Sequence, residues 1–395
     1  MTKFPRTISV NECEKFLARI LQKGESPEQL DLPVETRLSG FSGYASAIQT
    51  LITWAHSVEN PGLQVSSDKK SEGELIDEII KNPHKFTAAM FVKSILGNDE
   101  KEVRVLVNSS AKDAINKQFE HKYGQQRGGL CWFAFVDHSN KAFDPNFYIS
   151  SPTEMPLIKK QTNISKVIES MIEKSQEVVG NTASIDKSDL IRIGRLFYEL
   201  FTNSATHGLK DSKGNHLKKS VRVIYTNIVN AVSPEFIKNV SKNQPALETY
   251  LKAGNFSRYA EISFVDSGLG YVDRWKADKG KLAEHIDIVQ EYDTLKKCFK
   301  FRSSSIDDSS KGNGLPSVLE SLSNLKGFIR VRSGKLSVYR DFNVKPFQPE
   351  NDDYDFYDWK SGLLVDVRYN EYPKVRGVLV SLLIPLGTKE NEVVL

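Results

Sequence analysis

Cysteine is scarce in this chain. Cys13, Cys131 and Cys298 are odd in number and spread over 395 residues. That excludes a disulfide framework or a close-spaced thiolate metal site, and it suits a reducing compartment. No apolar run approaches the ~20 residues that span a bilayer. The opening residues, MTKFPRTISVNECEKF, lack the apolar core of a secretory signal. A cytoplasmic location with no membrane contact is therefore expected. Neither sign of charge is in excess. The formal net charge is only +4, with lysines spread rather than gathered in an arm, so nucleic acid is not indicated as a partner. A Walker A pattern is also missing, so any nucleotide site must be of another kind.

What is present is the composition of a globular protein, 39% hydrophobic and 26% charged, at a length that suggests two domains. The division is expected near 152/153. The second unit contains the informative stretches. Residues 190–208 read LIRIGRLFYELFTNSATHG. Ile193, Leu196, Phe197, Leu200 and Phe201 recur at helical spacing and predict a buried face. Asp186 or Ser188 can cap the start, and Gly208 stands where a helix stops. Glu199, Asn203 and His207 are each four residues apart, so they stack along one side of the helix. On their own they also suit a solvated stripe.

Residues 260–270 read AEISFVDSGLG. Ala260, Ile262 and Phe264 alternate with Glu261, Ser263 and Val265 as in a strand, and Asp266 ends it. Gly268 and Gly270 allow a tight turn or a close approach of backbone to ligand. Lys311, Gly312, Asn313, Gly314 and Leu315 read KGNGL and run into a helix with Val318, Leu319, Leu322 and Leu325 at helical spacing. A glycine loop opening a helix turns free N–H groups toward an anion.

The ordered set E-x-x-x-N on a helix, strand-D-x-G-x-G, then G-x-G-L-helix and a closing strand resembles the GHKL superfamily of ATPases. These include gyrase, the heat-shock ATPase chaperone, histidine kinases and MutL, which share the Bergerat nucleotide-binding fold. The resemblance spans about residues 160–395. It implies a two-layer sandwich over 153–395, with a mixed sheet and helices on one face; with the smaller N-terminal α/β domain that the helix and strand pattern of 1–152 suggests, the fold class expected is α+β. The resemblance implies ATP and Mg²⁺ as cofactors. Glu199 would be the general base, Asn203 would help hold Mg²⁺, and Asp266 would accept a hydrogen bond from the adenine amino group. Gly268 and Gly270 would pass the base. Lys311, Gly312, Asn313, Gly314 and Leu315 would meet the phosphates. His207 receives no role. Many members open the last strand with Gly-Thr, whereas Gly377-Val378 stands here, which lacks the hydroxyl.

Between the two glycine motifs the family has an ATP lid, here about residues 271–311. A helix is predicted over Ile286–Phe299, with Lys296, Lys297, Lys300, Arg302 and Lys311 making a basic flap. A helix around Ile164–Ile172 precedes the motif helix. Strands are expected at Val221–Ile228, Phe328–Val331 and Val378–Ile384. The acidic, aromatic stretch 346–359 reads either as a surface loop or as cover for a partner.

The first unit carries no recognisable chemistry. Helices are expected at Val10–Leu21, Tyr44–Ala55, Glu74–Ile80, Ala88–Leu96 and Ala111–Tyr123, and strands at Val103–Val107 and Cys131–Val136. His56, His84, His121 and His138 are scattered. A histidine-kinase phosphoacceptor would precede an acidic residue, but Ser57 follows His56 and Lys85 follows His84. An interaction or sensing role is expected. Glu199 argues for hydrolysis or for phosphorylation of a hydroxyl. The expected function is a Mg-dependent ATPase that couples nucleotide state through its lid to a protein partner or to dimerisation. The string ELFTNSATHG also resembles the anti-sigma-factor serine kinases, so a serine protein kinase is one alternative. A nucleotide-gated binding module is the other.

Overall fold

A computed structural model of the chain describes all residues except 1, 23–25, 140–141, 151–155, 181–184, 243, 255, 301–313, 352 and 388–395. The first part runs β1 (Thr2–Lys3), β2 (Thr7–Ile8), α1 (Val10–Gln22), β3 (Gln29–Asp31), β4 (Arg37–Leu38) and α2 (Gly43–Ser57). It continues with β5 (Gly62–Gln64), α3 (Glu72–Ile80), α4 (Pro83–Phe91), β6 (Ser94–Leu96) and α5 (Arg104–Glu120). Strands β1, β3, β5 and β6 pair in that order, all parallel, with helices in the crossovers. This is the small α/β arrangement expected.

Two sequence expectations fail here. Ala88–Leu96 is not one helix. The backbone turns extended at Val92, and Ser94–Leu96 pairs with Gly62–Gln64. A short apolar run does not distinguish strand from helix. Val103–Val107 is not a strand: Val103 is the N-cap of α5, and the helix begins at Arg104. Val103, Val107, Ala111 and Ile115 are all buried, and their four-residue spacing makes one helix face. The longer period overrides the local β-branched composition.

The chain then gives β7 (Gln125–Arg127), β8 (Leu130–Val136), β9 (Tyr148–Ile149), β10 (Leu157–Ile158), α6 (Gln161–Val178) and α7 (Lys187–His207). Next come β11 (Val221–Asn230), α8 (Pro234–Ser241), α9 (Pro245–Ala253), β12 (Arg258–Asp266), α10 (Tyr271–Asp278) and α11 (Ile288–Phe299). The last elements are α12 (Gly314–Asn324), β13 (Phe328–Gly334), β14 (Leu336–Asp341), β15 (Tyr357–Asp358) and β16 (Val375–Pro385). Eight strands form one sheet in the order β15-β14-β13-β16-β12-β11-β8-β7. Every pairing in it is antiparallel, not mixed as expected. Strands β7 and β8 precede residue 152, so the sheet reaches across the boundary expected there.

Both faces of this sheet are covered, not one. Along β8, Cys131, Phe133 and Phe135 join the core under α6, α7 and α12, while Leu130, Trp132, Ala134 and Val136 join the core of the first unit. Along β16, Val380, Leu382 and Ile384 face α6, α7 and α12, and Leu379 faces the first unit. The period of two thus divides each central strand between two cores. Helix α2 lies against the second face and is buried at nearly every position from Gly43 to Ala55. Among the described residues no helix is long and apolar enough to cross a membrane.

Leu379→Ala and Leu382→Ala should each destabilise the fold by about 2–5 kcal/mol, because both side chains are fully buried. Urea denaturation measures this. A negligible cost for Leu379→Ala alone would mean that the first unit does not cover that face in solution.

Candidate functional site

Helix α7 buries Ile193, Leu196, Phe197, Leu200 and Phe201, as its pattern predicts. Asp186 is its N-cap, without a side-chain capping bond. The opposite edge carries Arg195, Glu199, Thr202, Asn203, Thr206 and His207, which line a cavity of about 360 Å³. The facing wall comes from the strand ends, with Phe264, Asp266, Val378 and Val380. Helix α10 adds Tyr271, Arg274 and Trp275, α11 adds Cys298, and the start of α12 adds Gly314, Leu315, Pro316 and Ser317. Residues from three separate sequence motifs thus line one cleft. Lys311, Gly312 and Asn313 lie outside the described residues.

Asp266 is the buried anchor of the cleft. Its Oδ1 accepts from the N–H of Gly268 at 2.9 Å and of Val378 at 3.3 Å. Burial pushes the carboxyl up to about 6, and those two N–H groups, with Arg222 and Arg376 nearby, pull the other way without prevailing. The glycines make room for this packing. A Cβ on Gly377 would sit 1.8 Å from the Asp266 carbonyl oxygen, and Gly377 itself has φ +72°. Gly208 is not left-handed, with φ −71°. It is required for space, because its Cβ would meet Asp266 Cβ and Cγ at 2.9 Å. Gly268 supports Asp266 from behind and does not line the cavity, whereas Gly270, at φ +89°, does.

Glu199 and Asn203 stand where α12 begins. A Cβ on Gly314 would come within 2.8 Å of Glu199 Oε2 and 3.6 Å of Asn203 Nδ2. Burial raises the Glu199 carboxyl above its usual range, and Arg195 one turn away opposes that shift. Asn203 Nδ2 is buried with no hydrogen-bond partner, as is Thr202 Oγ1. An orphaned buried amide leaves a donor open toward the cavity, and a half-turn about Cβ–Cγ would offer Oδ1 to a cation instead. Among the described residues no group of three His, Cys, Asp or Glu could hold a metal. A hard cation here would take this amide oxygen as one donor.

Sequence reasoning missed Arg195, Thr202 and Thr206, although they lie three or four residues from Glu199 or Asn203 on the same helix edge. It also missed Tyr271, Arg274 and Trp275, whose helix α10 has no marked apolar pattern to point at the cavity. The stretch 346–359 is neither a free loop nor cover for a partner alone. It seats α11: Tyr292 O–H meets the Phe356 backbone, and the rings of Phe299 and Phe356 lie 5.2 Å apart. Lys296 reaches Asp366 at 3.2 Å and Asp355 at 3.7 Å, on the insertion side of the helix. Comparison with protein-family models, curated proteins and solved structures finds no match to this chain.

Gly208→Ala should destabilise by about 1–3 kcal/mol, since its methyl group meets backbone and Asp266. Gly73→Ala, in open space on α3, should be neutral or stabilise by up to ~1 kcal/mol. Thermal unfolding of the two variants separates them, and equal behaviour would contradict the close approach at Gly208.

Proposed function

We propose that the cleft binds an adenine nucleotide with Mg²⁺, and that the protein is a GHKL-type ATPase with a Bergerat-like second unit. The reading rests on one observation above the others. A buried carboxylate, a half-buried carboxylate and an orphaned amide, from motifs far apart in sequence, line a single cavity. The second Asp266 oxygen is the acceptor suited to the adenine amino group, because Oδ1 already serves two backbone donors. Asn203 would hold Mg²⁺, which when bound neutralises phosphate charge. Glu199, at the entry to α12, would take a proton from the attacking oxygen, and its raised pKa brings it nearer the pH at which a general base is most effective. Gly314 N–H, at the helix start, would face phosphate. Nucleotide state would act on a protein partner or a second copy through the lid segment.

Asp266→Asn should abolish ATP binding in calorimetry while the fold survives. The swap removes an ionised acceptor that contributes ~1.5–3 kcal/mol. In the wild type, affinity should be steady above pH 7 and fall as the pH drops through about 6, where Asp266 takes up its proton. Unchanged affinity in the variant would overturn the assignment.

Glu199→Ala should bind ATP and Mg²⁺ yet lose turnover by ~10²–10⁴-fold. Labelled ATP gives the readout. Free phosphate from the wild type supports an ATPase, label on a protein serine supports the kinase alternative, and neither supports a binding module. Wild-type hydrolysis in the variant would remove Glu199 from the mechanism.

A further inference from the structure

Helix α2 belongs to the first unit, yet four polar side chains, Ser46, Gln49, Thr50 and Thr53, sit in its buried length, and two of them reach the second unit's β16. Gln49 is 2% exposed and Thr53 is 5% exposed. Each needs a partner, and both find it at the backbone of one residue of the second unit, Arg376. The Arg376 N–H donates to Thr53 Oγ1 at 3.0 Å. Gln49 Nε2 donates to the Arg376 carbonyl at 3.4 Å and to the Arg332 carbonyl at 3.0 Å. Thr53 passes its own hydroxyl hydrogen to the Gln49 carbonyl at 2.8 Å, which fixes its oxygen as the acceptor.

The Arg376 N–H and C=O are free to be held because the sheet lets go of them. Strand β16 is bulged against β13: Ser333 pairs with Val378, but Gly334 pairs with Val375. Residues 376 and 377 therefore have no ladder partner on that side. A bulge leaves backbone groups to be satisfied elsewhere and re-aims the residues beside it. The residues re-aimed here are Gly377, whose N–H meets the Gly268 carbonyl at 2.9 Å, and Val378, whose N–H meets Asp266 Oδ1. Arg376 adds Nε to the Ser267 carbonyl at 3.3 Å.

We infer that Gln49 and Thr53 are positioning residues for the Asp266 pocket: they clamp the β16 bulge from the first unit, so that unit is a structural part of the binding site. The first unit thereby gains a defined route to the cleft. Any shift of α2 along its axis moves the Arg376 peptide, and with it one of the two N–H groups that orient Asp266.

The test uses the full-length chain with Thr53→Val, Gln49→Leu and the conservative Thr53→Ser. Amide exchange by mass spectrometry reads the pocket without any ligand. Peptides covering residues 266–270 and 376–379 should exchange at least tenfold faster in Thr53→Val and Gln49→Leu, with peptides from β8 and β11 unchanged. Thr53→Ser should restore protection. ATP calorimetry, the arm that rests on the proposed function, should show about tenfold weaker binding in Thr53→Val and near wild-type binding in Thr53→Ser. Protection at 376–379 unchanged in both disruptive variants would overturn the inference. Uniformly faster exchange throughout the sheet would also overturn it, since that is the mark of a merely structural role. A wild type that binds no ATP would sink the nucleotide reading and leave the exchange result to decide the positioning.

Discussion

An antiparallel sheet covered on both faces leaves no water for the polar side chains that its alternation sends inward. They must find one another, because an unpaired buried polar group costs about 1–3 kcal/mol. The face toward α2 solves this with one connected layer. Glu261 accepts from Tyr225 O–H at 2.6 Å and from Ser42 N–H at 2.9 Å. Ser42, Ser381 and Ser263 join through their hydroxyls at 2.8 and 2.7 Å, and Arg330 donates to Ser42 at 3.0 Å. Arg332 meets Glu14 of α1 at 2.7 Å. Burial still dominates, since it pushes Glu261 up to about 7 and Arg330 down to about 10 against their partners. Such a layer adds little net stability, but losing one member costs more than the pair contributed. It therefore fixes which way α1 and α2 sit on the sheet.

That fixed seating accounts for the site. Asp266 ends a strand whose neighbours are set by the sheet. Its pocket closes because four backbones approach more tightly than any side chain would permit at Gly208, Gly268 and Gly377. Close packing of this kind has one solution. The carboxylate is held on one oxygen and left with the other, which is the arrangement a hydrogen-bonding ligand requires.

The segment that follows Gly270 is organised differently. Helix α11 gains its place from the acidic stretch 346–372 through Lys296, Tyr292 and Phe299. Glu291 adds an acceptor for Lys335 N–H at 2.7 Å. The charge of that stretch is thus used within the chain, Asp355 and Asp366 on Lys296 of α11 and Asp353 on Arg340 of β14.

The helices carrying the site were legible from the sequence, and so were the strand ending in Asp266 and the last strand. Each follows from a local rule: a 3.6-residue period in α7 and α12, a period of two in β12 and β16, and glycine where backbone turns. The grouping of Glu199, Asn203, Asp266 and Gly314 was expected only through the resemblance of the ordered motifs to the GHKL superfamily, since no local rule brings those elements together. The rest depended on partners that no local pattern encodes. Whether 88–96 is one helix was decided by a strand partner at 62–64. Val103–Val107 became helix because its face had to continue to Ile115. The polar layer beneath α2 and the clamp on Arg376 include pairs more than two hundred positions apart, such as Ser42 with Glu261 and Thr53 with Arg376. Periodicity reports which face of an element is apolar, whereas only tertiary packing decides what that face meets.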